Sequence, residues 1–250
     1  MSWKGRVVLV AGVGGGLGSA VVSLLASSGA SVAGVARGGE ALQRLEAAAK
    51  SQHWEFLPVE GDMRRQADAD HAVRQAVDRF GHLDGVSVNV GHWISGSTLL
   101  HEGNDKDWSD GLHDNLDPVY RLGRAAIPDF VKQESGAFVA VAAAPRVRYA
   151  GSPSYCAAKA GLIDLIGKLA SDYRSHGIRF NAVLPGNMAR NADPLHVPAP
   201  GGSRLATDLE TSPWEVGYAI RYLLSEEARW VTGATLIVDG GLSTGGAEQA

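Results

Sequence analysis

Tyr155 and Lys159 lie four residues apart in Ser154-Tyr-Cys-Ala-Ala-Lys159. Four residues make one helical turn, so a phenol and an ammonium share one face. A neighbouring cation favours the phenolate, which suits Tyr155 to give or take a proton near neutral pH. Just upstream, an apolar run ends in Ala142-Ala143-Ala144. A hydroxyl donor to a reacting oxygen would be useful there, and that tripeptide has none. The pair specifies proton transfer, and the alanines limit its efficiency.

The elements that must hold this pair alternate along the chain. Apolar, β-branched runs near residues 6–11, 31–36, 54–59, 86–89, 138–142, 178–183 and 235–238 read as strands. Helical spacing occurs near 16–28, 40–50, 65–80, 105–132, 155–173 and 213–224. Buried strands joined by helical crossovers predict an α/β fold of the Rossmann type: one doubly wound parallel sheet of about seven strands, helices on both faces. No repeat or linker divides residues 1–250, so a single domain is expected. Residues 187–209, rich in Pro, Gly, Asn and Ala, break the alternation after the sixth strand. Leaving the carboxyl edge of the sheet, they are expected to form a substrate lid.

Composition narrows the function classes. Apolar residues make up 45% of the chain and charged ones 20%, enough to bury a large core. A net charge of −4 argues against nucleic-acid and anionic-membrane partners. The single cysteine, Cys156, forms no internal disulfide and reads as a packed helix residue, consistent with a cytoplasmic protein. Between Arg6 and Arg37 no charged residue occurs, but Gly14-Gly15-Gly16 breaks the apolar runs well short of a membrane span. The eight histidines show no H-E-x-x-H or comparable spacing, so no metal is expected.

The first strand runs into Gly12-Val-Gly14-Gly15-Gly16-Leu17-Gly18 and then a helix. Glycines let the backbone approach a pyrophosphate, whose charge is met by the helix N-terminus. The second strand ends in Ala36-Arg37 rather than an acidic residue that would hold a ribose 2′-hydroxyl. Arginine there pairs with a 2′-phosphate, so NADP(H) is favoured and NAD(H) remains possible. Asp62, followed by Met63 after the third strand, either accepts from the adenine amino group or caps the next helix.

Together these residues resemble the short-chain dehydrogenase/reductase family over nearly the whole chain. The matching stretches are Gly12-x3-Gly16-x-Gly18, Asn89-Val-Gly91, Asn115, Tyr155-x3-Lys159, Pro185-Gly186 and the C-terminal Thr232-Gly233…Val238-Asp239-Gly240-Gly241. The resemblance implies that Tyr155 exchanges a proton with a carbonyl or alcohol oxygen while a nicotinamide carries the hydride. It implies that Lys159 lowers the Tyr155 pKa and binds the nicotinamide ribose. Asn115 would bend its helix and hold a relay water, or satisfy backbone groups beside Pro118. It also implies a homotetramer or homodimer, paired through the helices near 105–132 and 155–173.

Four positions depart from the family pattern. Ala142 or Ala143 takes the place of the serine that hydrogen-bonds the substrate oxygen, and neither Ser152 nor Ser154 clearly replaces it. In other enzymes, losing one such donor costs on the order of 10²–10³ in rate. Arg190 takes the place of a threonine after Pro185, Ala11 that of the loop threonine, and Val88 that of the first asparagine. The leading expectation is an NADPH-preferring reductase of a carbonyl or of a conjugated, activated double bond in a small molecule. The alternative is a dinucleotide-binding sensor or assembly subunit with vestigial catalysis. His92 and Trp93, after Gly91, would line the substrate pocket, Trp93 stacking on a planar ligand; otherwise Trp93 packs in the core and His92 is solvated. Arg146, Arg148 and Tyr149, before Tyr155, attract an acidic substrate or are solvated.

Overall fold

The alternation of strands and helices resolves into a seven-stranded parallel sheet of order β3-β2-β1-β4-β5-β6-β7. The computed structural model describes residues 3–96, 99–189, 195–197 and 210–244. Most of the expected lid at 187–209, Arg190 included, lies outside these residues. The strands are β1 (Val7–Ala11), β2 (Ser31–Ala36), β3 (Phe56–Glu60), β4 (Gly85–Val88), β5 (Gly136–Val141), β6 (Ile178–Pro185) and β7 (Thr235–Val238). Central strands β1, β4 and β5 are buried throughout, the expected result of covering both faces of a parallel sheet. Proline-bearing β3 is an edge strand, where a missing N–H does no harm.

Helices α1 (Gly16–Ser27), α2 (Gly39–Gln52), α3 (Gln66–Phe80), α4 (Asp105–Asn115), α5 (Asp117–Gln133), α6 (Pro145–Ala150), α7 (Pro153–Tyr173) and α8 (Pro213–Leu224) complete the layers. Alternate strand residues feed two apolar clusters. Leu9, Val86, Phe138 and Phe180 meet α3, α5 and α7 on one face; Val8, Val10, Val139 and Val183 meet α1 and α8 on the other. The chain order reverses between β1 and β4, so a crevice opens at their carboxyl ends.

Two expectations need correction. Residues 105–132 are two helices, divided at Leu116, because Pro118 cannot donate into a continuing helix. The link before Tyr155 is not all loop: α6 occupies it, with Pro145 at its first turn. Ala11 and Val88 are partners in the β1–β4 register and both are fully buried among apolar side chains. An apolar pair thus stands where the family pattern has two polar residues, and replacing both avoids stranding either one.

Candidate active site

A cleft of about 1120 Å³ lies along the carboxyl ends of β2, β1, β4, β5 and β6. The glycine loop forms one end, Arg37 and Asp62 flank it, and Tyr155 with Lys159 stand at the other.

The loop end is built for an anion. Gly15 caps α1 without any side-chain hydrogen bond, and the first turn carries no acidic residue. A Cβ on Gly14 or Gly15 would meet nothing within 4 Å, so the helix N-terminus opens onto free space. Gly12 has φ +88°, and a Cβ there would meet the Asn89 carbonyl carbon at 2.9 Å. Next to it Ser87 Oγ donates to Asn89 Oδ1 at 3.1 Å, leaving the buried Asn89 Nδ2 without a partner among the described residues. A bare helix terminus and an orphaned donor beside it fit a nucleotide's pyrophosphate and ribose.

Arg37 lines the cleft and is exposed, free to reach a ligand. Asp62 is more occupied than its position suggested. Arg64 donates to it from its backbone N–H at 3.0 Å and from Nε at 2.9 Å, and reaches Asp114 at 3.0 Å. The Arg64 hydrogen bond holds the Asp62 carboxyl below its ordinary range. Asp62 does not cap α3 either, since the N-cap position is Arg65. Met63 is buried beneath this cluster. Arg64 and Asp114 were missed from sequence because their pairing spans 50 residues and two elements.

At the proton-transfer end, α7 places Tyr155 and Lys159 on its buried face, each under a tenth exposed. Ser152 caps the helix, its Oγ accepting from the Tyr155 N–H at 3.2 Å. Lys159 Nζ donates to the Val141 carbonyl at 3.0 Å and lies 5.9 Å from the Tyr155 ring centroid. Burial pushes the Tyr155 phenol up to about 12 and brings Lys159 down to about 8. The expectation that Lys159 depresses Tyr155 is therefore reversed in this structure. Desolvation disfavours both charged forms, and the ammonium is drawn onto a carbonyl instead of the phenol oxygen.

Asn115 closes α4 and is fully buried. Its Oδ1 accepts from the His92 N–H at 3.0 Å, while Nδ2 donates to His92 O at 3.1 Å and Gly111 O at 3.0 Å. The side chain thus ties the loop after β4 to the break between α4 and α5. Gly91 lies under both groups: a Cβ there would meet Lys159 Nζ at 2.8 Å and Asn115 Oδ1 at 3.0 Å.

At the substrate end His92, Trp93 and Ala143 line the cleft, and Arg148 departs from expectation. Trp93 is 42% exposed and packs edge-on against Tyr155, ring centroids 5.0 Å apart, so it is not a core residue. A bridge between Ser95 and Gly151 holds it there. His92 lines the cleft and is exposed. Arg148 is not among the cleft residues; Arg146 is. Two positions apart on α6, they face different sides, and the Arg148 guanidinium sits 5.3 Å over the Tyr149 ring. Ala142, Ala143 and Ala144 line the cleft as methyl surface. Ser152 and Ser154 turn away from it, their hydroxyls 3.1 Å apart and buried. Among the described lining residues Tyr155 carries the one hydroxyl.

Pro185 and Gly186 complete the cleft beside Asp239, which the C-terminal motif supplies. Asp239 accepts from the Gly241 and Ser243 N–H groups at 2.9 and 2.8 Å, and Gly186 N–H donates to Val238 O at 3.0 Å. The motif braces the Pro-Gly turn. Among the described residues no cluster of ligating side chains suits a metal, and no helix is long and apolar enough to cross a membrane.

Similarity to characterised proteins agrees with this geometry. Residues 12–243 match a family profile described as Enoyl-(Acyl carrier protein) reductase. The chain is 30% identical to the 3-oxoacyl-[acyl-carrier-protein] reductase FabG of Vibrio cholerae, over 97% of this chain and 99% of that protein. It is 31% identical to the A-factor type gamma-butyrolactone 1'-reductase (1S-forming) of Streptomyces virginiae, over 95% of each. Among solved structures, levodione reductase superposes with a TM-score of 0.84 at 27% identity, covering 97% of this chain and 99% of that one. The profile and these relatives cover nearly the whole chain, and the chain belongs to the short-chain dehydrogenase/reductase family.

Proposed function

We propose that this oxidoreductase is an NADPH-preferring reductase of an activated carbonyl or conjugated double bond in a small molecule, with Tyr155 as proton donor. The observation that carries the reading is a buried phenol, the cleft's one described hydroxyl, on the same helix face as Lys159. Burial keeps the phenol protonated at neutral pH, the form that donates in a reduction.

Gly14, Gly15, Gly16, Arg37, Asn89, Gly186 and Lys159 would hold the nicotinamide dinucleotide, which supplies a hydride equivalent when bound. Tyr155 Oη gives its proton to the substrate oxygen as that oxygen gains charge. Lys159, released from Val141 O, offsets the phenolate that remains. Asn115 and Gly91 keep the ammonium within reach. Without a second hydroxyl the cleft stabilises a developing oxyanion weakly, which suits substrates whose negative charge is spread by conjugation. The two relatives above are named as reductases, which supports the direction.

Tyr155→Phe tests the assignment: turnover of NADPH with a panel of ketones, quinones and imines should vanish while NADPH titration stays near normal. Retained turnover removes Tyr155 from the mechanism. No turnover by the wild-type protein across the panel, with tight nucleotide binding, would favour the sensor reading. Residues 1–250 are proposed to act as one domain and to assemble as a homo-oligomer; exposed Trp108 and Tyr120 on α4 and α5 support pairing through those helices. A monomer by equilibrium sedimentation would contradict it.

A further inference from the structure

The charges of the cleft do not cancel evenly. Asp62 and Asp114 share Arg64. Both Asp239 oxygens accept backbone N–H groups. Lys159 is committed to Val141 O, beside Tyr155. Among the described residues one cation remains at the β5 end: Arg146, exposed, lining the cleft, with no ion pair or hydrogen bond. It lies two residues beyond Ala144, on the wall that continues with Val147 and Ala150. Trp93, 42% exposed and held edge-on to Tyr155, lines the same cleft.

Arg37 stands at the other end of the cleft. It follows β2 and Arg146 follows β5, with β1 and β4 between them. Three strand spacings set the ends of β2 and β5 about 14 Å apart. A cation at each end of one cleft therefore meets two different anions. The first belongs with the nucleotide, beside the glycine loop. The second lies where the proton donor is.

We infer that Arg146 is a specificity residue for the anionic group of the substrate, and that the substrate is a flat, apolar carbonyl compound carrying a carboxylate or similar anion. The alanine wall and the Trp93 face take the flat body, and the guanidinium takes the charge. The carbonyl part of this statement rests on the reductase reading; the charge preference does not. Arg148, stacked over Tyr149 with a buried Nε, has no part in it.

The test compares 3- and 4-acetylbenzoate with their methyl esters, by calorimetric titration into the full-length protein with and without NADP⁺. Each acid should bind about tenfold more tightly than its ester, with the difference shrinking at high salt. Arg146→Met should bring the acid-to-ester ratio to near one and Arg146→Glu below one, while Arg148→Met should keep the wild-type ratio. A wild-type ratio near one, binding of neither compound, or a ratio that survives Arg146→Met overturns the inference. NADPH oxidation is measured in parallel. Arg146-dependent acid binding without oxidation removes the reductase reading and leaves the anion site standing. Oxidation with no preference for the acids does the reverse.

Discussion

Replacing Lys159 with methionine should change how stability depends on pH, in a direction set by burial. In the folded protein the ammonium is brought down to about 8 from its ordinary 10.5, and desolvation is the cause. At about 1.4 kcal/mol per unit, the charged form is disfavoured by folding to the extent of ~3 kcal/mol. The sign follows from proton counting. Below about pH 8 the lysine is protonated in both states, and the folded state bears the whole penalty. As pH rises from there toward 10.5, the folded lysine is neutral while the unfolded one still binds a proton, so stability increases. Tyr155 acts oppositely, because its folded value of about 12 exceeds its ordinary 10.0. Above pH 10 the unfolded phenol ionises first and stability declines. Urea unfolding between about pH 7 and 9.5, without nucleotide, therefore isolates the lysine. Across that window the wild type should gain ~2 kcal/mol relative to Lys159→Met. A comparison at one pH decides little, because the variant also loses a charge-assisted bond to Val141 O worth up to ~3 kcal/mol. Parallel stability curves, within ~0.5 kcal/mol over the window, would refute the claim that burial dominates this lysine.

Three further outcomes are expected. Ala142→Ser or Ala143→Ser should raise kcat/KM on simple ketones, by up to ~10² if the missing hydroxyl limits the reaction; no rise with either variant would point to substrates that need no second donor. Arg37→Glu should weaken NADPH about tenfold or more while leaving NADH nearly unchanged, as read by fluorescence titration; equal effects on both would take the 2′-phosphate role from Arg37. Gly91→Ala should depress turnover at least tenfold with a stability loss of ~1–3 kcal/mol, because its Cβ meets Lys159 Nζ at 2.8 Å; wild-type turnover would show that the ammonium's position is not limiting.

Legibility varied with how local each signal was. The bounds of β2, β7 and α8 follow from apolar runs closed by Gly, Pro or polar residues, and they appear where the pattern puts them. The division at Leu116 was less legible, since Pro118 is compatible with either a bend or a fresh start. Helix α6 was hidden because six residues carry too little periodicity to separate a helix from a loop. Within the site, the glycine loop and the four-residue Tyr155–Lys159 spacing are contiguous motifs, so their placement in one cleft needed only the fold class.

By itself the sequence determined the order of elements, the parallel sheet and the face shared by Tyr155 and Lys159, because all of these depend on period and spacing. Tertiary structure alone decided what surrounds that face. It turned Ser152 and Ser154 inward, brought Trp93 against Tyr155 from 62 residues away in the chain, and chose Arg146 over Arg148 for the cleft. It also reversed the electrostatics, since desolvation depends on everything packed around a group and spacing along the chain does not measure it.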